Sequence, residues 1–134
     1  MKKYFIIIQV ILQNILFSEI PVDLYPNESY YETVLVNNSS EYLLNIELFS
    51  NTNWQEEDNE SAILSLFIDG EYNQDILVYN GNENHIYQQS IGYLNEGEHF
   101  IELFFDYNKS SLNAFIIHID NINFINPNLI DVDS

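Results

Sequence analysis

The sequence predicts an all-β domain folded as an antiparallel β-sandwich, and three observations support this prediction. Apolar and polar residues alternate with a period of two in several short segments, as in residues 99–106. Turn residues separate these segments at intervals of roughly 8–12 residues. No segment has the sustained spacing of an amphipathic helix. With 134 residues, of which 46% are hydrophobic, the chain suits one domain with a hydrophobic core.

Alternation identifies most of the strands individually. Leu64, Leu66 and Ile68 are predicted to share one buried face, and the last strand is predicted to turn Phe115, Ile117, Ile119, Ile122 and Phe124 inward. The other alternating segments are 32–36, 42–49, 76–79 and 99–106. Because short strands of this kind pair with their neighbours through tight turns, we expect antiparallel sheets.

Glycine and its neighbours predict where the turns lie. Asp69-Gly70 is a hairpin signal, because a two-residue turn of this type needs a positive φ at both positions. Asn80-Gly81 follows an apolar segment, and Asn95-Glu96-Gly97 precedes one. Each of the three sites is therefore predicted to be a surface turn.

The first eighteen residues predict an export signal. Lys2 and Lys3 give a positive start, an apolar run follows from Phe5 to Phe17, and Ser18 is a small residue suited to cleavage. An uncleaved membrane anchor is the alternative. We expect residues 19–134 to form the secreted or cell-surface domain, with a frayed tail from about residue 126.

The charge balance excludes several classes of partner. The chain has 21 carboxylates against three lysines, for a net charge of −18. Such a chain repels phosphate backbones and anionic lipid, so nucleic-acid binding is not expected. It has no cysteine, and an exported domain of this kind must rely on its core or on a metal ion rather than on disulfides.

Several segments together resemble the galactose-binding-like jelly roll of carbohydrate-binding modules. They are the strands 42–48 and 64–68, residues 87–92, the Leu-x-x-Gly-x-His turn at 94–99, and the closing Ile-Asp-Asn-Ile-x-Phe at 119–124. The resemblance implies a non-catalytic, sugar-binding jelly roll, with Asp120 where such modules often have a calcium carboxylate. The sequence shows no counterpart of their opening strand in residues 21–31.

Trp54, the only tryptophan, lies in a polar loop between two predicted strands and is the leading candidate for a sugar contact. Sugar C–H faces pack on aromatic rings, while amides such as that of Gln55 bond to hydroxyl groups. Alternatively, Trp54 covers the edge of the core. Further predicted contacts are Tyr72, Tyr87 and Tyr93, each near a turn or strand end.

The same loop contains the candidate metal ligands. Glu56 and Asp58, together with Asp120, offer the carboxylate oxygens that calcium prefers, although the spacing does not fit an EF-hand. A solvated acidic loop is the alternative interpretation. His118 and Asp120 share a predicted strand face, the one feature that would favour a zinc or catalytic site.

No enzyme is predicted. The chain lacks a cysteine nucleophile, a Gly-x-Ser-x-Gly elbow and a phosphate-binding loop. The expected function is therefore non-catalytic carbohydrate binding by aromatic stacking and hydrogen bonds to hydroxyls, with calcium as a possible structural ion. The alternative is a structural or adhesive surface protein that uses the sandwich for protein contacts.

Overall fold

The computed structural model describes residues 19–52 and 61–127, and within them almost all regular structure is β-strand. A single turn of 3-10 helix, Tyr107–Lys109, lies between the last two strands. The strands are β1 (Val22–Leu24), β2 (Ser29–Val36), β3 (Ser40–Ser50), β4 (Ala62–Ile68), β5 (Glu71–Val78), β6 (His85–Leu94), β7 (Gly97–Phe105) and β8 (Ile117–Ile125).

These strands form two four-stranded antiparallel sheets. The first sheet has the order β1-β8-β3-β6, and the second has the order β2-β7-β4-β5. Consecutive strands mostly lie in different sheets, and only β4 and β5 form a hairpin between sequence neighbours. This is the strand order of a jelly roll, so the predicted sandwich is confirmed.

The core lies between the sheets and follows the predicted alternation. The first sheet contributes the fully buried side chains of Leu44, Ile46 and Leu48 in β3. The second sheet contributes the fully buried side chains of Leu64, Leu66, Ile101, Leu103 and Phe105. Residues between these positions point outward, because successive strand side chains project to opposite faces. Each sheet therefore has an outer face whose composition is independent of the core.

Glu32 is an exception among the inward positions of β2. Its neighbours Tyr30 and Val36 are buried apolar residues, and its Oε2 has no hydrogen-bond partner within the part of the chain that the structure describes. Burial raises the pKa of the Glu32 carboxyl above its usual value. Burial, and secondarily the charge of Glu32, raises the pKa of Tyr30 to about 12.

The predicted hairpin at Asp69-Gly70 is confirmed. The φ angles of Asp69 and Gly70 are 54° and 83°, as a type I′ turn requires. The Asp69 carboxylate accepts a hydrogen bond from the backbone N–H of Phe100 at 2.8 Å, which joins the turn to β7. The backbone and the side chain of Asp69 are therefore both hydrogen-bonded to Phe100, which fixes the turn against β7.

Two details differ from the sequence predictions, and a third, at Gly92, is a feature that the sequence did not predict. An opening strand exists at Val22–Leu24, and its shortness hides it from pattern analysis, because three residues pairing only with β8 show no periodicity. Phe115 is exposed rather than inward, since β8 begins two residues later. Gly92 lies inside β6, where a β-bulge opposite Tyr42 and Leu43 uses its positive φ.

The predicted export signal, residues 1–18, lies outside the described residues, as does the tail beyond residue 127. Within residues 19–52 and 61–127, no helix is long and apolar enough to span a membrane.

Candidate functional site

The two ends of the sandwich carry connections of very different length. At one end, each described connection between strands has two or three residues. The other end carries the four longest connections, residues 25–28, 51–61, 79–84 and 106–116, and we call it the long-loop end. Functional sites on rigid β frames commonly lie in such loops. The Trp54 loop begins and ends here.

Exposed apolar side chains concentrate at the long-loop end. Tyr25, Tyr79, Leu112 and Phe115 belong to three of its connections, and Leu112 and Phe115 are 78% and 57% exposed. Each could bury a large area against a ligand at little cost in backbone entropy, because the strands already fix the loop ends. This end thus has the aromatic surface that sugar stacking needs.

Asn51 organises the centre of this surface. Its side-chain oxygen accepts hydrogen bonds from the backbone N–H groups of Phe115 and Ile116 at 3.0 and 3.2 Å. Its side-chain nitrogen donates to the Asn113 carbonyl at 2.8 Å. One amide therefore ties the β7–β8 connection to the root of the Trp54 loop and holds Phe115 beside it.

The root of the Trp54 loop is rigid on its N-terminal side. Ser50 and Thr52 are fully buried, and their hydroxyl oxygens lie 2.6 Å apart in a hydrogen bond. The Ser50 N–H donates to the Gly81 carbonyl at 3.0 Å, which joins this root to the β5–β6 connection. On the C-terminal side, Ser61 accepts a backbone hydrogen bond from Ser111 at 2.9 Å. Two other connections, β5–β6 and β7–β8, are thus hydrogen-bonded to the root of the Trp54 loop.

A cluster of rings supports the β5–β6 connection. Tyr79, His85 and Tyr87 make edge-to-face contacts, with centroid distances from 4.8 to 5.6 Å. The buried Tyr87 hydroxyl accepts a hydrogen bond from the Asn80 N–H at 2.9 Å. Burial raises the pKa of the Tyr87 phenol. Tyr87 therefore supports the loop from below, and its ring is not available on the surface.

The structure does not bring the three predicted tyrosines together. Tyr72 is exposed on β5 at the outer face of the second sheet, whereas Tyr93 is exposed on β6, in the first sheet. Tyr87 points into the core. Trp54 and Gln55, the leading candidates, lie outside the described residues, as do the predicted metal ligands Glu56 and Asp58.

Asp120 belongs to a different constellation, on the outer face of the first sheet. Its carboxylate accepts a hydrogen bond from the Asn84 amide at 2.7 Å, and its other oxygen lies 3.3 Å from His118 Nε2. His118 Nδ1 lies 2.5 Å from Asp23, and the Phe49 ring stacks on the imidazole at 4.7 Å. The predicted proximity of His118 and Asp120 is confirmed.

The hydrogen bonds of this constellation favour the protonated form of the His118 imidazole. Burial of the imidazole lowers the pKa of His118, but the hydrogen bonds and charges of Asp23 and Asp120 outweigh it, and the pKa is raised overall. No group of three or more histidine or acidic side chains in residues 19–52 and 61–127 has the geometry to hold a metal ion. Calcium binding thus remains a prediction for the acidic loop.

Sequence reasoning did not select Asn51 or Phe115 for the site. Asn51 is one of many asparagines in the chain. In the sequence, Phe115 continues the alternation of residues 117–119, but β8 begins at Ile117, so Phe115 lies in the preceding connection and is exposed. The length of the connections was the available signal. Successive connections of an antiparallel fold alternate between its two ends, so the first, third, fifth and seventh connections, which are the four longest, lie at the same end.

The chain matches no protein-family model and no curated protein. Solved structures do match it. One is the CBM36-1 domain of a multidomain xylanase from the hindgut metagenome of Trinervitermes trinervoides, with 22% identity over 77% of this chain and 75% of that one, at a TM-score of 0.60. Another is a CBM36 carbohydrate-binding module in complex with calcium and xylotriose, with 17% identity, 77% and 78% coverage, and the same TM-score.

This chain has the fold of those modules. The jelly-roll resemblance noted in the sequence is therefore confirmed at the level of the fold. An insecticidal delta-endotoxin from Bacillus thuringiensis, Cry8Ea1, is similar over 78% of this chain and 19% of its own length, with 12% identity and a TM-score of 0.60. Because the jelly roll also occurs in a toxin, function must be argued from the surface and not from the fold.

Proposed function

We propose that this chain is an exported, non-catalytic carbohydrate-binding module whose ligand lies at the long-loop end. The observation that carries this proposal is that the connections bearing the exposed Tyr79, Leu112 and Phe115 are hydrogen-bonded to the root of the Trp54 loop. Aromatic rings and amides in one place suit a sugar, which offers C–H faces and hydroxyl groups. The likeness to two carbohydrate-binding modules supports the same assignment.

Binding would need no catalytic group. Ring stacking would bury the apolar face of one or two sugar units, and the abundant asparagine side chains of these loops would exchange hydrogen bonds with hydroxyls. We expect weak affinity, because sugar hydroxyls are well hydrated before binding and little net energy is gained per hydrogen bond. The acidic charge of the chain favours a neutral glycan over an anionic one.

Calcium is the ion that this proposal includes. Glu56 and Asp58 are the residues that would hold it, and carboxylate oxygens of this kind are its usual ligands. The solved module with calcium and xylotriose makes the ion a reasonable component of such a domain. In this chain its effect would be to stabilise the folded domain, because an ion that binds only the folded state favours that state.

A panel of neutral plant, bacterial and host glycans tests the proposal by affinity gel electrophoresis. Trp54→Ala and Phe115→Ala should each weaken binding by about tenfold or more, the cost typical of a central aromatic contact. Leu35→Ala is the matched control for Phe115→Ala, because Leu35 is 65% exposed but lies on β2 at the short-loop end. Absence of binding across the panel, or equal affinities in all variants, would contradict the proposal.

The same experiment distinguishes a carbohydrate-binding module from a structural or adhesive protein. If the exposed rings contact a protein, Phe115→Ala would leave glycan binding unaffected or no glycan would bind. The rigid loop roots and the surrounding polar groups favour the sugar, since obligate protein interfaces are more uniformly apolar.

A further inference from the structure

One side of the sandwich is open between the edges of two strands. In β8, Ile117–Ile119 pair with β1, whereas residues 121–125 pair with β3 on one side and with no described strand on the other. Across the gap, β2 pairs with β7 alone among the described strands. Unpaired strand edges present backbone N–H and C=O groups that can bind a further strand. We call the space between residues 121–125 and β2 the open side.

The opposite side of the sandwich is closed by side chains. There the edge strands are β5 and β6. The Asn73 amide of β5 donates a hydrogen bond to the Ile91 carbonyl of β6 at 3.0 Å. The Gln74 amide donates to the Ser90 carbonyl at 2.8 Å. One pair of edges is thus joined, and the open side is where this fold can accept a further strand.

The open side contains a cleft of about 240 Å³ at the short-loop end. Its apolar walls include Val34 and Val36 of β2, Tyr42 of β3 and Phe124 of β8. Val34 and Phe124 pack against the core but are only partly buried. An apolar cavity of about 150 Å³ can hold a benzene ring, so this cleft has room for an aliphatic side chain.

The chain itself leaves β8 beside this cleft. Asn126 follows the last residue of β8 and lines the cleft, and the Ser40 hydroxyl donates a hydrogen bond to its side-chain oxygen at 3.4 Å. Residues 128–134 come next in the sequence. At about 3.3 Å per residue they reach roughly 23 Å, which exceeds the length of residues 121–125. The segment after β8 is therefore long enough to return along the open side.

The sequence of that segment alternates as a half-buried strand does. Ile130 and Val132 are apolar, and each is followed by an aspartate, Asp131 and Asp133. Period-two alternation of this kind is typical of a strand with one face on a hydrophobic core. Because the acidic residues take only the alternate positions, they do not oppose such packing.

We propose that the open side is a strand-docking groove whose occupant is this chain's own segment, residues 129–133, bound antiparallel to β8. The bound segment covers the gap between the two sheets and pairs the free backbone groups of residues 121–125. The groove begins at the short-loop end, so the inference does not depend on the glycan site at the long-loop end.

The alternation of the segment fixes its register. Ile122 and Phe124 are the core-facing residues in this part of β8. A return through residues 126–128 brings Ile130 opposite Phe124, where it fills the cleft. Two residues further, Val132 lies opposite Ile122, because opposite residues of an antiparallel pair share a face. A shift by one residue would instead turn the acidic side chains toward the core.

Charge and tethering favour this occupant over another molecule. In the same register Asp131 lies opposite Asn123. Asp133 lies opposite Asn121, and both asparagines are exposed amides that can donate hydrogen bonds to carboxylates. A second copy of this chain carries a charge of −18 and is repelled. A segment tethered beside the groove has a high effective concentration there.

Disulfide formation in the full chain tests the inference, because the chain has no cysteine of its own. Asn123→Cys/Asp131→Cys should form an intramolecular disulfide on mild oxidation, since opposite Cα atoms of an antiparallel pair lie about 4.5–5.5 Å apart. Asn123→Cys/Val132→Cys is the matched control, because its two side chains project to opposite faces. Non-reducing mass spectrometry detects the bond, and size-exclusion chromatography separates monomers from cross-linked dimers.

Stability gives a second readout that needs no cysteine. Ile130→Asn/Val132→Asn should lower the melting temperature by about 5 °C, because two apolar side chains lose their contacts. Hydrogen exchange of the edge amides in residues 121–125 should become about tenfold faster. Asp131→Asn/Asp133→Asn changes the outer face alone, so it should produce neither effect.

Several results would overturn the inference. One is equal cross-linking of the two cysteine variants, or no cross-linking of either, in a folded monomer. A disulfide between two molecules would assign the groove to a second copy. Unchanged hydrogen exchange in Ile130→Asn/Val132→Asn would show that the segment does not cover the edge of β8.

Discussion

His99 and His118 each direct both ring nitrogens at acceptors. His99 lies 2.6 Å from the Asn95 carbonyl and 2.7 Å from the Asp69 carboxylate. A neutral imidazole has one N–H, so only the protonated ring can donate to both neighbours. The hydrogen bond to Asn95, followed by that to Asp69, raises the pKa of His99. The two ring nitrogens of His118 face the carboxylates of Asp23 and Asp120, so only its protonated ring can donate to both.

Stability should therefore fall as the pH rises through the histidine range. Folding raises the pKa of His118, so the protonated ring stabilises the folded state. This stabilisation is complete below the pKa of the unfolded chain, about 6.5, and is lost as the pH rises through the pKa of the folded state. His118→Asn should remove part of this dependence and cost about 1 kcal/mol in acid, a modest value because Asp23 is half exposed. Urea unfolding across the pH range measures it.

The partner carboxylate provides the control for this prediction. Asp23→Asn keeps the imidazole but removes the charge that favours its protonation, so it should flatten the pH dependence of the free energy of unfolding as His118→Asn does. A pH dependence unchanged in both variants would show that this cluster does not hold a proton.

At the scale of elements, the β7–β8 connection depends on one side chain. Asn51→Ala removes three hydrogen bonds to residues 113–116, and we expect a loss of about 1–2 kcal/mol because water replaces part of them. Phe115 would lose its fixed position, and glycan affinity should fall. Chemical unfolding and affinity electrophoresis measure the two effects.

Asn45→Ala is the matched control for Asn51→Ala. Asn45 accepts a hydrogen bond from the Gln88 amide on the outer face of the first sheet, far from the long loops along β3. Its loss should leave glycan affinity unchanged. Equal effects of the two substitutions on affinity would contradict an organising role for Asn51.

The strands were predictable wherever burial on one face imposes alternation. In β8 the inward set Ile117, Ile119 and Ile122 includes a three-residue step, and the structure has a register shift there, opposite Glu47 and Leu48. The inward assignment of these three residues is confirmed. The contact of Asn51 with Phe115 was not predictable, because the two residues are 64 positions apart and lie in connections whose sequences show no periodic pattern.

For the whole molecule, the excess of carboxylates is the dominant electrostatic feature. Lys109 is the only lysine or arginine beyond the first three positions, and it is paired with Asp75 and Asp106. The carboxylates elsewhere repel one another, which destabilises the compact state. At moderate ionic strength, salt screens the repulsion between exposed charges that lie more than about 10 Å apart, so added sodium chloride should raise the melting temperature.

Calcium should raise the melting temperature beyond this screening effect. If Glu56 and Asp58 bind the ion in the folded state, calcium at ten times its dissociation constant adds about 1.4 kcal/mol, which is roughly 5 °C for a domain of this size. Calorimetry compares calcium chloride with sodium chloride at matched ionic strength, and a chelator should reverse the difference. Glu56→Gln/Asp58→Asn should lose the calcium-specific part alone. Identical melting temperatures in the two salts would rule out a calcium site, because screening is equal at matched ionic strength and only specific binding would add to it.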